Sequence, residues 1–397
     1  MPSASGDGAG PDPRIWRLVG FPLVGATGSG VLDGESVAVK DLFAVAGLAV
    51  GAGNPVYLAG AGRERRHAAA VRALLDAGAE LRGIARTDEF AYSIAGANAH
   101  YGTPPNPRGP GRLPGGSSSG PASAVAGGQA SIGLGTDTAG SIRVPASYQG
   151  LWGLRSTHGA VSAQGMLPLA PSFDAVGWLA RSPDVLANAA RVSLPALPKT
   201  GGGGAFLLCP GLLDAVDPAV AEAFTEAIEK WVAVGAVPKP REIRGPDGPA
   251  AFAAFRTVQG AEAWRAHGGW LRAHPDVLGP DVAARFDWAA GVSATEEASA
   301  RAVLAQIRAR FEAELGDDVL LLPTTSTPAP PGDGDAASLD AVRAATIGLT
   351  CLAPITGRPA LSAPLLEVRG LPVGLSLLGP RRTDLDLVAR GAALAEQ

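Results

Sequence analysis

Short apolar runs that alternate with helical patterns constrain this chain more than any other feature of its sequence. The strand-like runs are residues 36–39, 81–85, 131–134, 205–209, 319–322, 361–365 and 373–378. The helical patterns cover residues 67–79, 121–129, 217–235, 249–270, 296–315 and 383–396. Such alternation is typical of α/β folds, in which helices cover a sheet, and we predict 205–209 as a buried central strand. Because 46% of the 397 residues are hydrophobic and 18% are charged, a sizeable core is expected.

Composition excludes several classes of function. The formal net charge of −4 gives no electrostatic reason to bind nucleic acid or an anionic membrane. No stretch approaches the roughly 20 apolar residues of a membrane helix, so we expect no membrane span. Residues 1–14 are rich in small and polar residues without a signal-peptide layout, and we predict a disordered tail. Residues 194–204 are linker-like and predict a surface loop rather than a domain boundary.

The two cysteines, Cys209 and Cys351, lie far apart and each sits in an apolar run. They are predicted to be buried free thiols, because their spacing suits neither a metal site nor an evident disulfide. Reduced thiols fit a cytoplasmic protein. Four tryptophans, Trp231, Trp264, Trp270 and Trp288, are predicted to pack in the core, with a substrate pocket as the alternative.

Glycine and serine dominate two short loops between residues 114 and 158. Such loops are either flexible turns or backbone donor nests that carry nucleophilic hydroxyls. They contain no lysine for a phosphate-binding loop and no dinucleotide fingerprint. A histidine-based serine hydrolase is disfavoured, because Ser141 lacks a nucleophile-elbow sequence. The histidines His67, His267 and His274 lie in helical contexts that look exposed.

Three segments form a longer pattern in fixed order: residues 37–41 (VAVKD), 115–118 (GGSS) and 135–146 (GTDTAGSIRVPA). Ser117 and Ser141 are 24 positions apart. This combination resembles the signature of the amidase signature family. Residues 102–107, 321–330 and 356–379 also resemble segments of that family, so the resemblance covers nearly the whole chain.

The resemblance implies a Ser-Ser-Lys triad. Ser141 would be the nucleophile, Ser117 would bridge and pass a proton to the departing amine, and Lys40 would be the base. The peptide bond between Gly116 and Ser117 would be cis. Lys40 must be neutral to act, so burial must lower its pKa.

The same resemblance implies an oxyanion hole made by the backbone N–H groups of four consecutive residues: Thr138, Ala139, Gly140 and Ser141. Asp137 and Arg143 are predicted to pin this loop rather than to react. The sequence departs from the usual family pattern at Ala139, Pro121 and Gln149, but no departure removes a triad atom.

The fold implied by the resemblance is a single-domain α/β/α sandwich around a large mixed β-sheet. We expect it to span residues 15–397, with a helical cap at about residues 215–315. The chemistry needs no metal ion and no organic cofactor.

Several segments resemble plant-type indole-acetamide hydrolases, among them residues 87–93, 96–102, 144–148, 156–162 and 172–178. The resemblance implies an aryl-acetamide-like primary amide that is cleaved to an acid and ammonia. Gly115, Gly116, Tyr92 and Phe173 are the candidate substrate-binding residues. His100 and His158 are predicted to form structural hydrogen bonds.

Two alternatives remain open at this point. One is the glutamine-hydrolysing A subunit of a tRNA-dependent amidotransferase, which would need partner chains. The other is a catalytically silent binding protein on the same fold. The expected partner is a small amide, without nucleic acid or membrane, and a homodimer is left open.

Overall fold

The computed structural model describes residues 10–195 and 204–397. Most of the predicted tail (1–9 of 1–14) and of the predicted linker (196–203 of 194–204) therefore lies outside the described residues. The end of the predicted tail is ordered, because the Asp12 carbonyl accepts hydrogen bonds from the N–H groups of Ile15 and Trp16 at 3.0 Å each. Asp12 also pairs with Arg14 at 2.7 Å. This turn leads directly into the first strand.

One sheet of eleven strands runs through the described chain. The strands are β1 (Trp16–Val24), β2 (Ser36–Lys40), β3 (Glu80–Ala85), β4 (Ile132–Asp137), β5 (Trp152–Arg155), β6 (Ala175–Ala180), β7 (Phe206–Leu208), β8 (Arg241–Glu242), β9 (Val319–Pro323), β10 (Ala360–Val368) and β11 (Leu371–Leu378). Their spatial order is β1-β3-β2-β4-β6-β5-β10-β11-β9-β7-β8.

The sheet is mixed. Strand β2 pairs in parallel with β3 and β4, and β7 pairs in parallel with β8 and β9, whereas the other neighbours are antiparallel. The prediction that residues 205–209 form a central strand is wrong, because β7 is second from one edge.

Twelve α-helices accompany the sheet in the described chain. They are α1 (Pro55–Gly60), α2 (Ala69–Asp76), α3 (Ser119–Ala126), α4 (Arg143–Gln149), α5 (Pro183–Ser193), α6 (Pro218–Ala233), α7 (Gly248–Ala273), α8 (Pro280–Ala290), α9 (Ala294–Leu315), α10 (Ala336–Thr350), α11 (Leu352–Thr356) and α12 (Asp384–Ala395).

Helices pack on both faces of the sheet, as expected for an α/β/α sandwich. On one face, side chains of α3 and α4 pack with Ala38 and Leu179. On the other face, side chains of α2, α5, α6 and α12 pack with Val37 and Val39. The alternation of residues 37, 38 and 39 between two cores is the period-2 pattern of a strand that is buried on both sides.

The predicted cap divides into two parts. Helix α6 belongs to the sandwich, because its apolar stripe packs in the same core as Val37 and Val39. The residues of this stripe are Val220, Phe224, Ile228 and Trp231. Helices α7, α8 and α9 pack on one another instead. They form the layer beside the candidate site, where the ring of Phe255 on α7 packs at a tilt against that of Phe173, with 4.7 Å between the ring centroids.

One helical stretch meets the length and composition of a membrane span, contrary to expectation. It is Ala336–Thr356, with a mean hydropathy of 1.3 in its most apolar window. This stretch comprises α10 and α11 and contains Asp340 and Arg343, and 39% of that window is buried inside the protein. Core helices of globular proteins meet the same criterion, and Thr350 of this stretch contacts the candidate site described below.

Candidate active site

Lys40 ends strand β2, between the two parallel neighbours of that strand. Its side chain is fully buried, and its Nζ atom lies 2.8 Å from both Ser117 Oγ and Thr136 Oγ1. Burial lowers the pKa of Lys40 to about 7, while the carboxylates of Asp88, Asp137 and Asp174 partly oppose that shift. At neutral pH a substantial fraction of this amine is therefore uncharged. Thr136 was not predicted as a partner.

Ser117 follows a cis peptide bond from Gly116, as predicted. Its carbonyl accepts hydrogen bonds from the Thr87 hydroxyl at 2.9 Å and from the Asp88 N–H at 3.2 Å. A Cβ at Gly116 would lie 2.3 Å from a carboxylate oxygen of Asp88, so only glycine fits there. These contacts hold the Ser117 hydroxyl beside Lys40.

Asp88 is a buried residue whose role the sequence analysis missed. Its carboxylate accepts hydrogen bonds from the Gly96 N–H at 2.9 Å and the Ser119 hydroxyl at 3.0 Å. Burial raises the pKa of Asp88, and hydrogen bonds oppose that rise. Asp88 lies within residues 87–93, a segment that could have pointed to it.

Ser141 lies in the loop between β4 and α4, with 2% of its surface exposed. Its carbonyl accepts a hydrogen bond from the Ser118 N–H at 3.2 Å, which brings the two serine loops together. Within the described residues, the hydroxyls of Ser117 and Ser141 make no hydrogen bond with each other. Catalytic hydrogen bonds in ligand-free enzymes often tighten only when substrate is bound.

Asp137 organises this loop through a fully buried carboxylate. It accepts from the N–H groups of Gly140 at 3.0 Å and Ile142 at 3.2 Å. It also pairs with Arg143 at 2.8 Å and with Arg155 at 3.2 Å. Burial alone would raise the pKa of Asp137, but the two arginines outweigh burial and hold it below its ordinary value. This geometry agrees with the predicted structural role of Asp137 and Arg143.

The predicted oxyanion hole needs one correction. The Gly140 N–H is not available, because it donates to the Asp137 carboxylate. The N–H groups of Thr138, Ala139 and Ser141 make no hydrogen bond to another described residue. These three donors remain candidates for binding an oxyanion.

Two further residues fix the loop. The Thr350 hydroxyl donates to the Ala139 carbonyl at 2.5 Å, and the Thr350 carbonyl accepts from Arg143 at 2.9 Å. Gly140 has φ +126°, and a Cβ there would lie 3.0 Å from the Thr350 hydroxyl. On the other side, Asp174 accepts from the Thr138 hydroxyl at 2.6 Å.

A small cavity of about 10 Å³ opens beside Ser141. Its walls include Tyr92, Ile94, Gln259, Arg343 and Ile347. Tyr92 was predicted to bind substrate, whereas Gln259 and Arg343 were not identified from the sequence. No motif surrounds these two residues. Each lies on a helix that is more than 100 positions after the serine loops in the sequence, although it is close to them in space.

Three predicted substrate-binding residues do not line this cavity. Phe173 is buried against Phe255, and its carbonyl accepts from Arg155 at 2.7 Å. Gly115 has φ +73°, with Pro145 only 2.8 Å from where its Cβ would be, and Gly116 packs against Asp88. Close packing thus explains these residues without a substrate.

The histidines and cysteines take no part in the serine site. His100 contacts Glu89 at 2.7 Å and His158 contacts the Pro171 carbonyl at 2.9 Å, in agreement with structural roles. The prediction of an exposed His267 is wrong, because it is 4% exposed and contacts the Pro168 carbonyl at 2.7 Å. The cysteines are free and buried, as predicted.

Comparison with known proteins gives a consistent result. The profile of the family described as Amidase matches residues 25–199 and 213–388. The chain is 34% identical over 395 residues to Amidase 1 of Arabidopsis thaliana, covering 92% of this chain and 93% of the plant protein. It is 30% identical over 419 residues to the A subunit of the glutamyl-tRNA(Gln) amidotransferase of Haloarcula marismortui, covering 92% and 96%. A crystal structure of an amidase superposes with a TM-score of 0.81 at 31% identity, covering 92% of this chain and 85% of that chain.

Proposed function

This chain belongs to the amidase signature family of amide-cleaving hydrolases, and from that premise we propose that it hydrolyses a small primary carboxamide to a carboxylic acid and ammonia. The observation that carries the proposal is the contact between Lys40 and Ser117. A fully buried amine with a pKa of about 7 lies 2.8 Å from a serine hydroxyl next to the Ser141 loop. An amine of that pKa can remove a proton at neutral pH.

The proposed acylation step begins when Ser141 Oγ attacks the amide carbonyl. Its proton passes to Ser117, while the proton of Ser117 passes to the neutral amine of Lys40. The developing oxyanion is bound by the N–H groups of Thr138, Ala139 and Ser141, which are free of other partners among the described residues. The C–N bond then breaks, and Ser117 gives a proton to the leaving nitrogen as Lys40 returns its own proton to Ser117.

Deacylation repeats this relay with water as the nucleophile. Water attacks the acyl group on Ser141, and its proton passes through Ser117 to Lys40. The acyl–oxygen bond breaks, Ser141 recovers a proton, and the carboxylic acid leaves. Thr136 supports both steps, because its hydroxyl lies 2.8 Å from Lys40 Nζ and helps to hold the amine in place.

The small cavity favours a small substrate. Its volume of about 10 Å³ lies far below that of ordinary ligand sites, which argues against a bulky substrate. Tyr92 supplies one aromatic wall, which is compatible with the aryl-acetamide implied by the resemblance to indole-acetamide hydrolases.

Two buried free thiols are consistent with our proposal of a cytoplasmic enzyme.

The glutamine-hydrolysing component of a tRNA-dependent amidotransferase is the second candidate. It is favoured by the 30% identity to the Haloarcula marismortui protein, which extends over nearly the full length of both chains. Copurification with two partner chains, together with hydrolysis of glutamine only in their presence, would favour this candidate over a free-standing amidase. The silent binding protein is disfavoured, since Lys40, Ser117 and Ser141 are all present.

The test combines turnover with active-site labelling. We expect ammonia release from small amides by the wild-type chain, and labelling of Ser141 by a fluorophosphonate probe. Ser141→Ala should lose both signals and keep its thermal unfolding midpoint. Lys40→Ala should lower kcat/KM by at least roughly 1000-fold, which is within the range that activating a nucleophile contributes. Wild-type rates in either variant would refute the proposed mechanism.

A further inference from the structure

Arg343 is a largely enclosed cation without a partner at the cavity beside Ser141. Its Nε atom is shielded from solvent and makes no hydrogen bond. Within the described residues the guanidinium also forms no ion pair. Charges removed from water are normally paired, because an unpaired one loses hydration without compensation. Such a group at the wall of a substrate cavity points to a charge supplied by the ligand.

Arg343 lies on the face of α10 that borders the serine loop, and it lines the same cavity as Ser141. Arg343, Ile347 and Thr350 are spaced i, i+4 and i+7, so they share one face of the helix. Thr350 contacts the Ala139 carbonyl in the candidate oxyanion loop, and Ile347 lines the cavity. Seven residues of α-helix rise about 10 Å, so the backbones of Arg343 and Thr350 lie roughly that far apart. Because Arg343 and Ser141 line one small cavity, only a short substrate body fits between them.

The surroundings of Arg343 are positive on balance. The guanidinium groups of Arg285 and Arg256 lie close enough to act on both Arg343 and Tyr92. Arg285 is held in place by donating to the Tyr92 carbonyl at 3.1 Å, and Arg256 lies over the Trp288 ring at 4.1 Å. Asp340 is the nearby acidic group on the same helix, and it forms no ion pair with Arg343.

We propose that Arg343 binds a carboxylate at the far end of the substrate, so that the preferred substrate is the monoamide of a short dicarboxylic acid. A planar guanidinium matches a carboxylate with two parallel hydrogen bonds. Gln259 lines the same cavity, and its side chain makes no hydrogen bond within the described chain, so it adds a neutral polar group beside Arg343. Burial lowers the pKa of Arg343 only to about 10, so the side chain stays charged at neutral pH. The inference rests on the proposed amidase function, and within the small primary carboxamides it selects an acidic monoamide over an aryl-acetamide.

The test compares matched amides with and without the second carboxylate. Malonamate, succinamate and glutaramate are assayed beside butyramide by ammonia release. We expect wild type to prefer at least one acidic monoamide over butyramide by about 10- to 100-fold in kcat/KM, the range of a charge-assisted hydrogen-bonded pair. Arg343→Gln should lose that preference, because its KM for the acidic monoamides rises by a larger factor than its KM for butyramide. Arg343→Lys should restore part of the preference for acidic monoamides, because lysine supplies the positive charge but not the two parallel hydrogen bonds of a guanidinium.

The control variant is Arg265→Gln. It removes an exposed arginine that pairs with Glu297 and does not line the cavity beside Ser141. This variant should keep the wild-type preference. The inference would be overturned if Arg343→Gln lost kcat/KM equally on acidic and neutral amides, or if wild type preferred butyramide. Either result would still be compatible with the proposed amidase function.

A second measurement does not depend on turnover. Succinate should protect Ser141 from the fluorophosphonate probe in wild type, whereas butyrate should protect it much less. Arg343→Gln should lose the protection by succinate but still be labelled. Labelling of wild type that succinate does not slow would contradict the inference. Absence of any labelling would instead count against the proposed amidase function.

Discussion

At the scale of single residues, the proposed function depends on the charge state of one amine. Lys40 is surrounded by protein on all sides, and its close polar contacts are two neutral hydroxyls. The carboxylates of Asp88, Asp137 and Asp174 act on it through space and partly offset burial. This balance leaves the pKa near neutrality, where a base is most useful.

The pH dependence of turnover follows from that balance. The active form has neutral Lys40, so kcat/KM on butyramide should rise with pH through an inflection near 7 and level off above it. Butyramide does not titrate in this range, so the inflection reports the enzyme. A flat profile between pH 5.5 and 8.5, or an inflection near 10, would show that Lys40 is not the base.

The control for this profile is His158→Gln. His158 is the half-buried histidine that contacts the Pro171 carbonyl, and burial lowers its pKa below the ordinary value. Its removal should leave the inflection in place. Loss of the inflection in this variant would assign the titration to the histidine.

At the scale of elements, the sequence predicted the two serine loops and most of the strands around them. It missed β1, β5 and β6, as well as the two-residue β8, and the first three omissions have a physical reason. Strand β1 contains Gly20 and Pro22, and the other two contain Gly153 and Gly177, which weaken the strand pattern. Pairing with neighbours in the sheet stabilises these segments, and a single strand does not reveal its neighbours.

The cavity wall was less predictable than the loops. Helix α10 was not predicted, although it supplies Thr350, Ile347 and Arg343 to the site. Its contacts are made with residues about 200 positions earlier in the chain. Motif recognition identifies the reacting groups, whereas only tertiary packing shows which helix covers them.

The link between α10 and the serine loop gives a prediction about positioning. Thr350→Val removes the hydroxyl that donates to the Ala139 carbonyl and leaves that buried carbonyl unsatisfied, at a cost of about 1–3 kcal/mol. We expect kcat to fall by roughly 10-fold or more, because the neighbouring N–H donors of the loop shift. KM should change little, and Ser141 should still be labelled by the fluorophosphonate probe, but more slowly.

Thr356→Val is the matched control. The Thr356 hydroxyl bonds only to the Leu352 and Ala353 carbonyls within its own short helix. This variant should keep kcat within about 3-fold of wild type, since both carbonyls can also accept backbone bonds. Equal losses of kcat in the two variants would mean that general packing, rather than the loop contact, sets the rate.

At the scale of the whole molecule, the sheet gathers distant parts of the chain at one site. Strands β2 and β4 are parallel neighbours, so their carboxyl ends lie side by side. Lys40 ends the first strand, and Asp137 ends the second and leads into the Ser141 loop. The proposed base, Lys40, is thus part of the sheet, and folding must bury it.

Burying that base makes the free energy of unfolding depend on pH. Lys40 has a folded-state pKa of about 7 and an unfolded value near 10.4, so between these values the unfolded chain binds more protons. Stability from this group therefore increases as pH rises from about 7 to 10, by up to about 1.4 kcal/mol per pH unit. Below pH 7 both states are protonated and the dependence disappears.

Lys40→Met isolates the pH-dependent contribution of Lys40 to the free energy of unfolding, because methionine fills nearly the same space without a charge. We expect the variant to be inactive, and to exceed wild type in stability most at pH 6.5 and progressively less at pH 8 and 9.5. Urea denaturation at each pH measures the difference between the two proteins. Lys230→Met, at an exposed position of α6, should differ from wild type by the same amount at each pH. A difference between Lys40→Met and wild type that stays constant, or grows with pH, would mean that Lys40 is charged in the folded protein, and the proposed proton relay would then lack its base.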